Sequence, residues 1–105
     1  MNEGVCCTSL TPGPSIADGL LSGVNEMTYN IFKHLVEKVV LVSEAELREA
    51  VSLFQKREQL MVEASSSIGL AALLHQLQDL RGKKVVLIAT SRNIDAVRYK
   101  QIVQA

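Results

Sequence analysis

The residues best placed for chemistry in this chain are three consecutive serines, Ser65 to Ser67, which come directly before an apolar helical pattern. The first turn of a helix has free backbone amides, and together with hydroxyl groups these amides can bind a small anion. The alternative is structural: Ser65 or Ser66 accepts a hydrogen bond from one of those amides and caps the helix. The sequence therefore predicts a helix start here, with capping as the commoner role and a small-anion site as the other.

The histidines and cysteines form no catalytic pattern. His34 and His75 fall on different predicted helices, and neither has a serine or cysteine nucleophile motif beside it. Cys6 and Cys7 are adjacent, a spacing that rarely closes a disulfide and does not match a zinc site. We interpret them as simple thiols on a loose N-terminal segment, with an intermolecular bridge or a reactive role as the alternative.

The composition indicates one globular domain. The chain has 105 residues, of which 48% are hydrophobic and 21% are charged. Eleven basic residues balance eleven acidic ones, so the charge pattern argues against a nucleic-acid partner. The apolar runs are too short to span a bilayer, and the N-terminus lacks a basic region followed by an apolar stretch. We therefore expect no membrane contact and a cytoplasmic location.

Helical periodicity predicts four helices. The apolar stripe of the first begins at Val24 and is predicted to be buried on one face. Ser43 and Glu46 have the spacing of a capping box at the start of the second helix. Gly82 is predicted to end the third helix and Asn93 to cap the fourth. The predicted helices cover about residues 24–36, 44–58, 65–80 and 94–103.

Two short runs of β-branched and apolar residues, Val39 to Val42 and Lys84 to Thr90, predict parallel strands covered on both faces. Residues 1–14 contain both prolines of the chain and predict an irregular arm, whereas residues 15–105 predict a single α/β domain. Two strands with open edges make a poor sheet. The expected fold is an incomplete Rossmann-like α/β fragment with two short parallel strands and about four helices. We expect a homodimer or higher homo-oligomer to complete it.

Four segments of the chain resemble the motifs of one enzyme family. Val62 to Leu74 reads VEASSSIGLAALL where that family typically reads VEGAGAAALAALL, and Lys83 to Asp95 reads KKVVLIATSRNID against KKVVVVLSGGNID. Upstream, SIADGL at Ser15 to Leu20 is similar to a TIADGL loop, and VVLVSEAEL at Val39 to Leu47 is similar to VVLVSEEEI. In this order the segments resemble the C-terminal part of the pyridoxal-phosphate enzymes of the serine/threonine dehydratase and serine racemase group, which are of fold type II.

The resemblance implies a role for five positions. Thr90 stands where the family usually has a serine whose hydroxyl contacts the cofactor's pyridine nitrogen. Ser91 and Arg92 stand where it has two glycines, and an arginine there argues against cofactor binding. Gly19 matches the glycine of the loop that lines the cofactor pocket, and Glu63 matches a glutamate near the pyridine edge. We therefore expect these positions to be vestigial.

The comparison with the family's motifs also shows which of them are missing from this sequence. The chain contains no SxKxRG segment to supply the Schiff-base lysine, and no SxGNH segment or glycine-rich phosphate loop. The metal-binding acidic residues of some members precede the loop at Ser15, where Asn2 and Glu3 are no convincing match. We therefore expect no catalytic residue, no cofactor and no metal. The chain opens at Met1, just upstream of that loop, and from this we expect a separate reading frame or a recombined gene piece.

The expected function is that of a non-catalytic, stand-alone remnant that acts, if at all, through self-association or binding. Two alternatives remain open: a module that docks onto an intact dehydratase-like enzyme, and a half-enzyme completed by another chain. Within the vestigial site, Arg92 is expected either to pair with Glu63 where the ring would lie or to point into solvent.

Overall fold

The computed structural model describes residues 15–17 and 25–104, and α-helices are its main regular elements. Its described part confirms the four predicted helices: α1 (Glu26–Leu35), α2 (Glu44–Leu53), α3 (Ile68–His75) and α4 (Ala96–Gln104). None of the described helices combines the length and the apolar character that a bilayer crossing requires. The predicted irregular arm over residues 1–14, with Cys6 and Cys7, and the loop residue Gly19 lie outside the described residues.

Helix α1 begins at a local cap but buries none of its residues. The Asn25 side chain accepts a hydrogen bond from the Thr28 amide at 2.8 Å, and Lys33 in the last turn favours the negative end of the helix dipole. The prediction that one face is buried is wrong for the described chain, since Met27 is 74% exposed and Leu35 is 77% exposed. An apolar stripe is buried only where another element covers it, and no described element covers this one.

Helix α2 is the centre of the fold, and its capping box is confirmed. Glu46 donates its amide to the Ser43 hydroxyl at 3.1 Å, and Ser43 donates its amide to the Glu46 carboxylate at 2.9 Å. Leu47, Ala50 and Val51 are buried on the inner face. The predicted α-helix to residue 58 is shorter, because its last turn widens into a π-helical turn, Phe54–Glu58.

We expect Ser43→Ala to lower the free energy of unfolding by about 1 kcal/mol, because one end of the capping box is lost and a first-turn amide loses its acceptor. Chemical denaturation followed by circular dichroism measures this change. Ser52→Ala is the matched control: it makes the same change inside α2, where alanine has the better helix propensity. Equal losses in the two variants would contradict a specific capping role.

Helix α3 is shorter than predicted and is flanked by tighter turns. A 3₁₀ helix, Ala64–Ser67, precedes it. The amides of Gln76 and Leu77 both donate to the Ala72 carbonyl, at 2.8 Å and 3.1 Å, and this shared acceptor closes the helix. The prediction of one helix over 65–80 ended by Gly82 is therefore wrong. Gly82, with a φ of 81°, follows the short 3₁₀ turn Gln78–Leu80, where a left-handed residue favours glycine.

Helix α4 is capped by Asp95. The prediction that Asn93 caps it is wrong. The Asp95 carboxylate accepts from the Val97 amide at 2.6 Å and from the Arg98 amide at 3.3 Å. A carboxylate is also favoured by the positive end of the helix dipole. Asn93 instead donates its backbone amide to the Ser91 hydroxyl at 3.0 Å, which shapes the turn before the helix.

One buried cluster holds α2, α3 and α4 together. Ala50 and Ala71 are fully buried, and their small side chains let α2 and α3 approach closely. The Arg48 guanidinium donates to the carbonyl of Ile102 at 3.2 Å, which ties α2 to α4. The buried members of the cluster are Ile16, Ala17, Leu47, Ala50, Val51, Ala64, Ala71, Tyr99 and Ile102.

Glu44 connects the early residues 15–17 to the start of α2. Its two carboxylate oxygens accept from the Ser15 hydroxyl at 2.6 Å and from the Ile16 amide at 2.8 Å. These bonds place Ile16 and Ala17 in the core although they lie far away in sequence. The hydrogen bond from the Ser15 side chain, with a second from the Ile16 backbone, lowers the pKa of Glu44 from its ordinary value of 4.5.

The depressed pKa of Glu44 predicts a small loss of stability in acid. A carboxyl whose folded pKa is lowered stabilises the fold above its unfolded value of 4.5, and this contribution is lost as the pH falls through the folded value. Because Glu44 is exposed, solvent screening keeps the effect small. We expect the thermal midpoint to fall more steeply below pH 4.5 in the native chain than in Glu44→Gln. The exposed Glu58→Gln is the control, and parallel curves for the native chain and Glu44→Gln would refute the prediction.

The segments predicted as strands do not pair with each other in the described structure. Residues 39–42 and 84–90 are neither helical nor part of a β-ladder among the described residues. Their predicted burial on both faces is wrong for the chain by itself, since Leu41 is 84% exposed and Val86 is 90% exposed. A strand needs neighbouring strands to satisfy its backbone groups, and the described residues provide none. The two-strand sheet is therefore not confirmed.

Candidate functional site

A buried serine hydroxyl joins the start of α3 to the turn after residues 84–90. Ser66 is 4% exposed and lies in the 3₁₀ turn before α3. Its Oγ lies 2.9 Å from Thr90 Oγ1 and accepts from the Ser91 amide at 2.9 Å. The two turns therefore meet at one atom, and the fold places Thr90 and Ser91, two of the positions predicted to be vestigial, beside Ser66.

Glu63 belongs to the same site. Its amide donates to the Ser91 carbonyl at 3.3 Å, and its carboxylate accepts from the Ser66 hydroxyl at 3.5 Å. The Ser67 hydroxyl donates to the Glu63 carbonyl at 3.2 Å. The prediction that Ser65 or Ser66 caps α3 is wrong, because the helix start has no side-chain cap and the Ser66 hydroxyl bonds across the fold. The anion alternative is weakened too, since the hydroxyls of Ser66 and Ser67 both have partners within the chain.

Arg92 does not join this site. It is exposed, and no ion pair links it to Glu63 in the part of the chain that the structure describes. Of the two arrangements expected for Arg92, the structure therefore has the one in solvent, where a guanidinium keeps its hydration. The interpretation that Arg92 fills the former ring site is wrong.

The role that sequence reasoning missed is that of Ser66, which was interpreted as a helix cap or as part of a small-anion site. A signal was present, because Ser66 replaces one of the small residues in the matching stretch of the family and Thr90 carries a second hydroxyl. The pairing could not be read directly, because the two residues lie 24 positions apart.

Other candidate groups stay apart from this site. His75 lies 2.7 Å from the Glu49 carboxylate near the protein surface, whereas His34 is exposed on α1. Within residues 15–17 and 25–104, no three side chains of His, Cys, Asp or Glu come together as a metal site requires. A cavity of about 210 Å³ lies beside Glu63. Its lining combines acidic, basic and apolar residues: Ile16, Glu63, Ala64, Ser65, Asn93, Ile94, Asp95 and Arg98.

The sequence model of the family described as "Pyridoxal-phosphate dependent enzyme" matches residues 3–91 of the chain. The chain therefore belongs to the family of pyridoxal-phosphate dependent enzymes. This confirms the family that the four motif-like segments indicated.

Individual relatives are enzymes of the same group. The chain is 34% identical to an L-threo-3-hydroxyaspartate ammonia-lyase of Pseudomonas sp over 91 residues, which are 86% of this chain and 28% of that protein. It is 38% identical to a serine racemase of Dictyostelium discoideum over 96 residues, 88% of this chain and 30% of that protein. It thus spans less than a third of the length of these relatives.

A crystal structure of the serine racemase from Dictyostelium discoideum has a similar fold. The TM-score is 0.71 at 39% sequence identity, and the match covers 77% of this chain and 27% of that one. The chain therefore has the α/β fold of this group, although its described residues contain helices and no strand. About three quarters of the neighbour's chain lies outside the match.

The family implies pyridoxal phosphate, and the described residues do not fit its ring at the expected place. By the resemblance, the ring would lie between the Glu63 carboxylate and the Thr90 hydroxyl. A single hydroxyl, that of Ser66, lies 3.5 Å from the first and 2.9 Å from the second. The space between these two groups is therefore filled by protein.

Proposed function

We propose that these 105 residues are non-catalytic by themselves and act through binding, as a homodimer or higher homo-oligomer. The observation that supports this proposal is the exposure of four apolar side chains on the two strand-like segments, which we call the outer face: Val39, Leu41, Val86 and Ile88. These side chains are between 54% and 90% exposed in the single chain. Apolar area of this kind favours association with another protein surface.

The exposure pattern of these segments is that of strands covered on one side. Leu41 and Val39 are exposed, whereas Val42 packs against the core. Likewise Val86 is exposed, whereas Leu87 lies over α3, with its Cδ2 3.4 Å from the position that a Cβ on Gly69 would take. Alternation of this kind is typical of a strand with one buried face. A second copy would cover the outer face, and the net charge of zero means that two copies do not repel each other overall.

The mass of the purified chain in solution tests self-association. We expect light scattering at micromolar concentration to give twice the 11.5 kDa of one chain, or a higher multiple. A monomeric mass would refute the homo-oligomer. In the same sample we expect no turnover of serine or threonine, the substrates that the names of several relatives suggest. Turnover that tracks with the chain through purification would refute the non-catalytic part.

The second candidate is a partner chain of the same family that completes the fold, or onto which the chain docks. This candidate is supported by the length of the matching racemase. Nearly three quarters of that protein's chain has no counterpart in these residues, and a partner chain could supply it. Co-purification of the chain with a dehydratase-like protein, in place of a second copy, would support this candidate. A yellow absorbance that needs both chains would indicate a half-enzyme. In either case the proposal includes the cytoplasmic location predicted from the sequence.

A further inference from the structure

We infer that Ser66 has taken the place of the cofactor ring, so that this part of the chain is closed to pyridoxal compounds whichever protein covers the outer face. The Ser66 hydroxyl is the common partner of Glu63, Thr90 and Ser91. This inference concerns the interior of the chain, and the oligomeric state does not decide it.

The Ser66 hydroxyl has three hydrogen-bonding partners within the chain. A hydroxyl has one proton to donate and two lone pairs that accept. The Ser91 amide donates to Ser66 Oγ at 2.9 Å, and the Thr90 hydroxyl lies 2.9 Å away. With Thr90 as donor, the proton of Ser66 is directed to the Glu63 carboxylate, 3.5 Å away. In this arrangement the three partners use the proton and both lone pairs of the hydroxyl.

The distances leave no room for a ring between Glu63 and Thr90. Their side-chain oxygens, Oε1 and Oγ1, lie 3.5 Å and 2.9 Å from the same Ser66 Oγ, and these two distances limit their separation. A ring inserted between them, with one group at each of two opposite edges, would need a contact of about 3 Å on each side in addition to its own width. The two groups are too close together for that arrangement. Ser66 is 4% exposed, so its side chain is enclosed by the protein at this position.

A ligand titration of the full chain tests the closed site directly. We would titrate pyridoxine 5′-phosphate, which has the ring and the phosphate but no aldehyde and so forms no imine with surface lysines. Two-dimensional NMR would follow the amides of Glu63, Ser66 and Thr90. We expect no saturable shift of these signals. Saturable shifts at the three amides that disappear in Thr90→Val would overturn the inference.

A variant series tests the structural role of the hydroxyl. Ser66→Ala leaves the Ser91 amide without its acceptor, so we expect the thermal midpoint to fall by about 5 °C. Ser65→Ala, a neighbouring serine that is less buried, should change it little. Ser66→Ala already removes the hydrogen bond between Ser66 and Thr90. Adding Thr90→Val should therefore lower the thermal midpoint by less than the sum of the two single changes. Additive losses, or equal midpoints for the Ser65 and Ser66 variants, would overturn the inference.

Hydrogen exchange of the native chain provides a second measurement, in case Ser66→Ala does not fold. We expect the Ser91 amide to exchange slowly, because it donates to a buried hydroxyl. Exchange of this amide as fast as that of exposed residues would contradict a closed junction.

Discussion

Val86→Asp is expected to abolish self-association of the chain, with an increase of about 100-fold or more in the dissociation constant. In the single chain Val86 is 90% exposed, so a carboxylate there stays hydrated and the fold of the monomer should survive. In the proposed oligomer the same position is covered, and the carboxylate would be buried without a partner. The expected result is a monomeric mass by light scattering together with a native circular dichroism spectrum.

The control for Val86→Asp is Val97→Asp. Val97 is also an exposed valine, at 66%, but it lies on α4 and outside the outer face. Its variant should keep the oligomeric mass of the native chain. If both variants remained oligomeric, the outer face would not be the interface. If Val86→Asp unfolded the chain, residue 86 would be needed for folding itself, and the monomer would not be a stable species.

Leu47→Ala is expected to lower the free energy of unfolding by about 2–5 kcal/mol. Leu47 is 2% exposed and lies on the inner face of α2, within the core cluster of the described residues. Shortening it removes apolar contacts and leaves a cavity where α2 meets its neighbours. In a chain of this size such a loss is a large part of the total stability, so the thermal midpoint should fall by roughly 10 °C or more. Differential scanning calorimetry measures the change.

Leu35→Ala is the matched control for the core. It makes the same substitution in α1, where Leu35 is 77% exposed and no residue of the helix is buried. Its effect should stay within about 0.5 kcal/mol. A large loss for Leu35→Ala would show that α1 is covered in solution, and a small loss for Leu47→Ala would place the core elsewhere.

The sequence predicted the parts of the fold that depend on near neighbours. Ser43 and Glu46 are three residues apart, and their capping box lies where the spacing placed it. The inner face of α2 repeats at helical spacing and is buried as predicted. Local hydrogen bonds and periodicity leave a direct trace in sequence, so four helices and the starting turn of α2 could be predicted.

The sequence did not predict where α3 ends or which residue caps α4. Asp95 and Asn93 are both residue types that cap helices, and in the folded chain Asp95 takes the cap while the Asn93 amide donates to Ser91. The break at the end of α3 depends on two amides that share the Ala72 carbonyl. Neither choice is marked by composition.

By itself the sequence determined the family, through four short segments in a fixed order, and the four helices, through local spacing. Only the tertiary structure decided what the site can hold. The Ser66 hydroxyl meets Thr90 across 24 residues, and Glu44 holds Ile16 across 28. Such contacts follow from how α2, α3 and α4 pack, because packing brings together groups that no local pattern relates. For the same reason the exposure of Val86, which the apolar run suggested would be buried, became visible only in the folded chain.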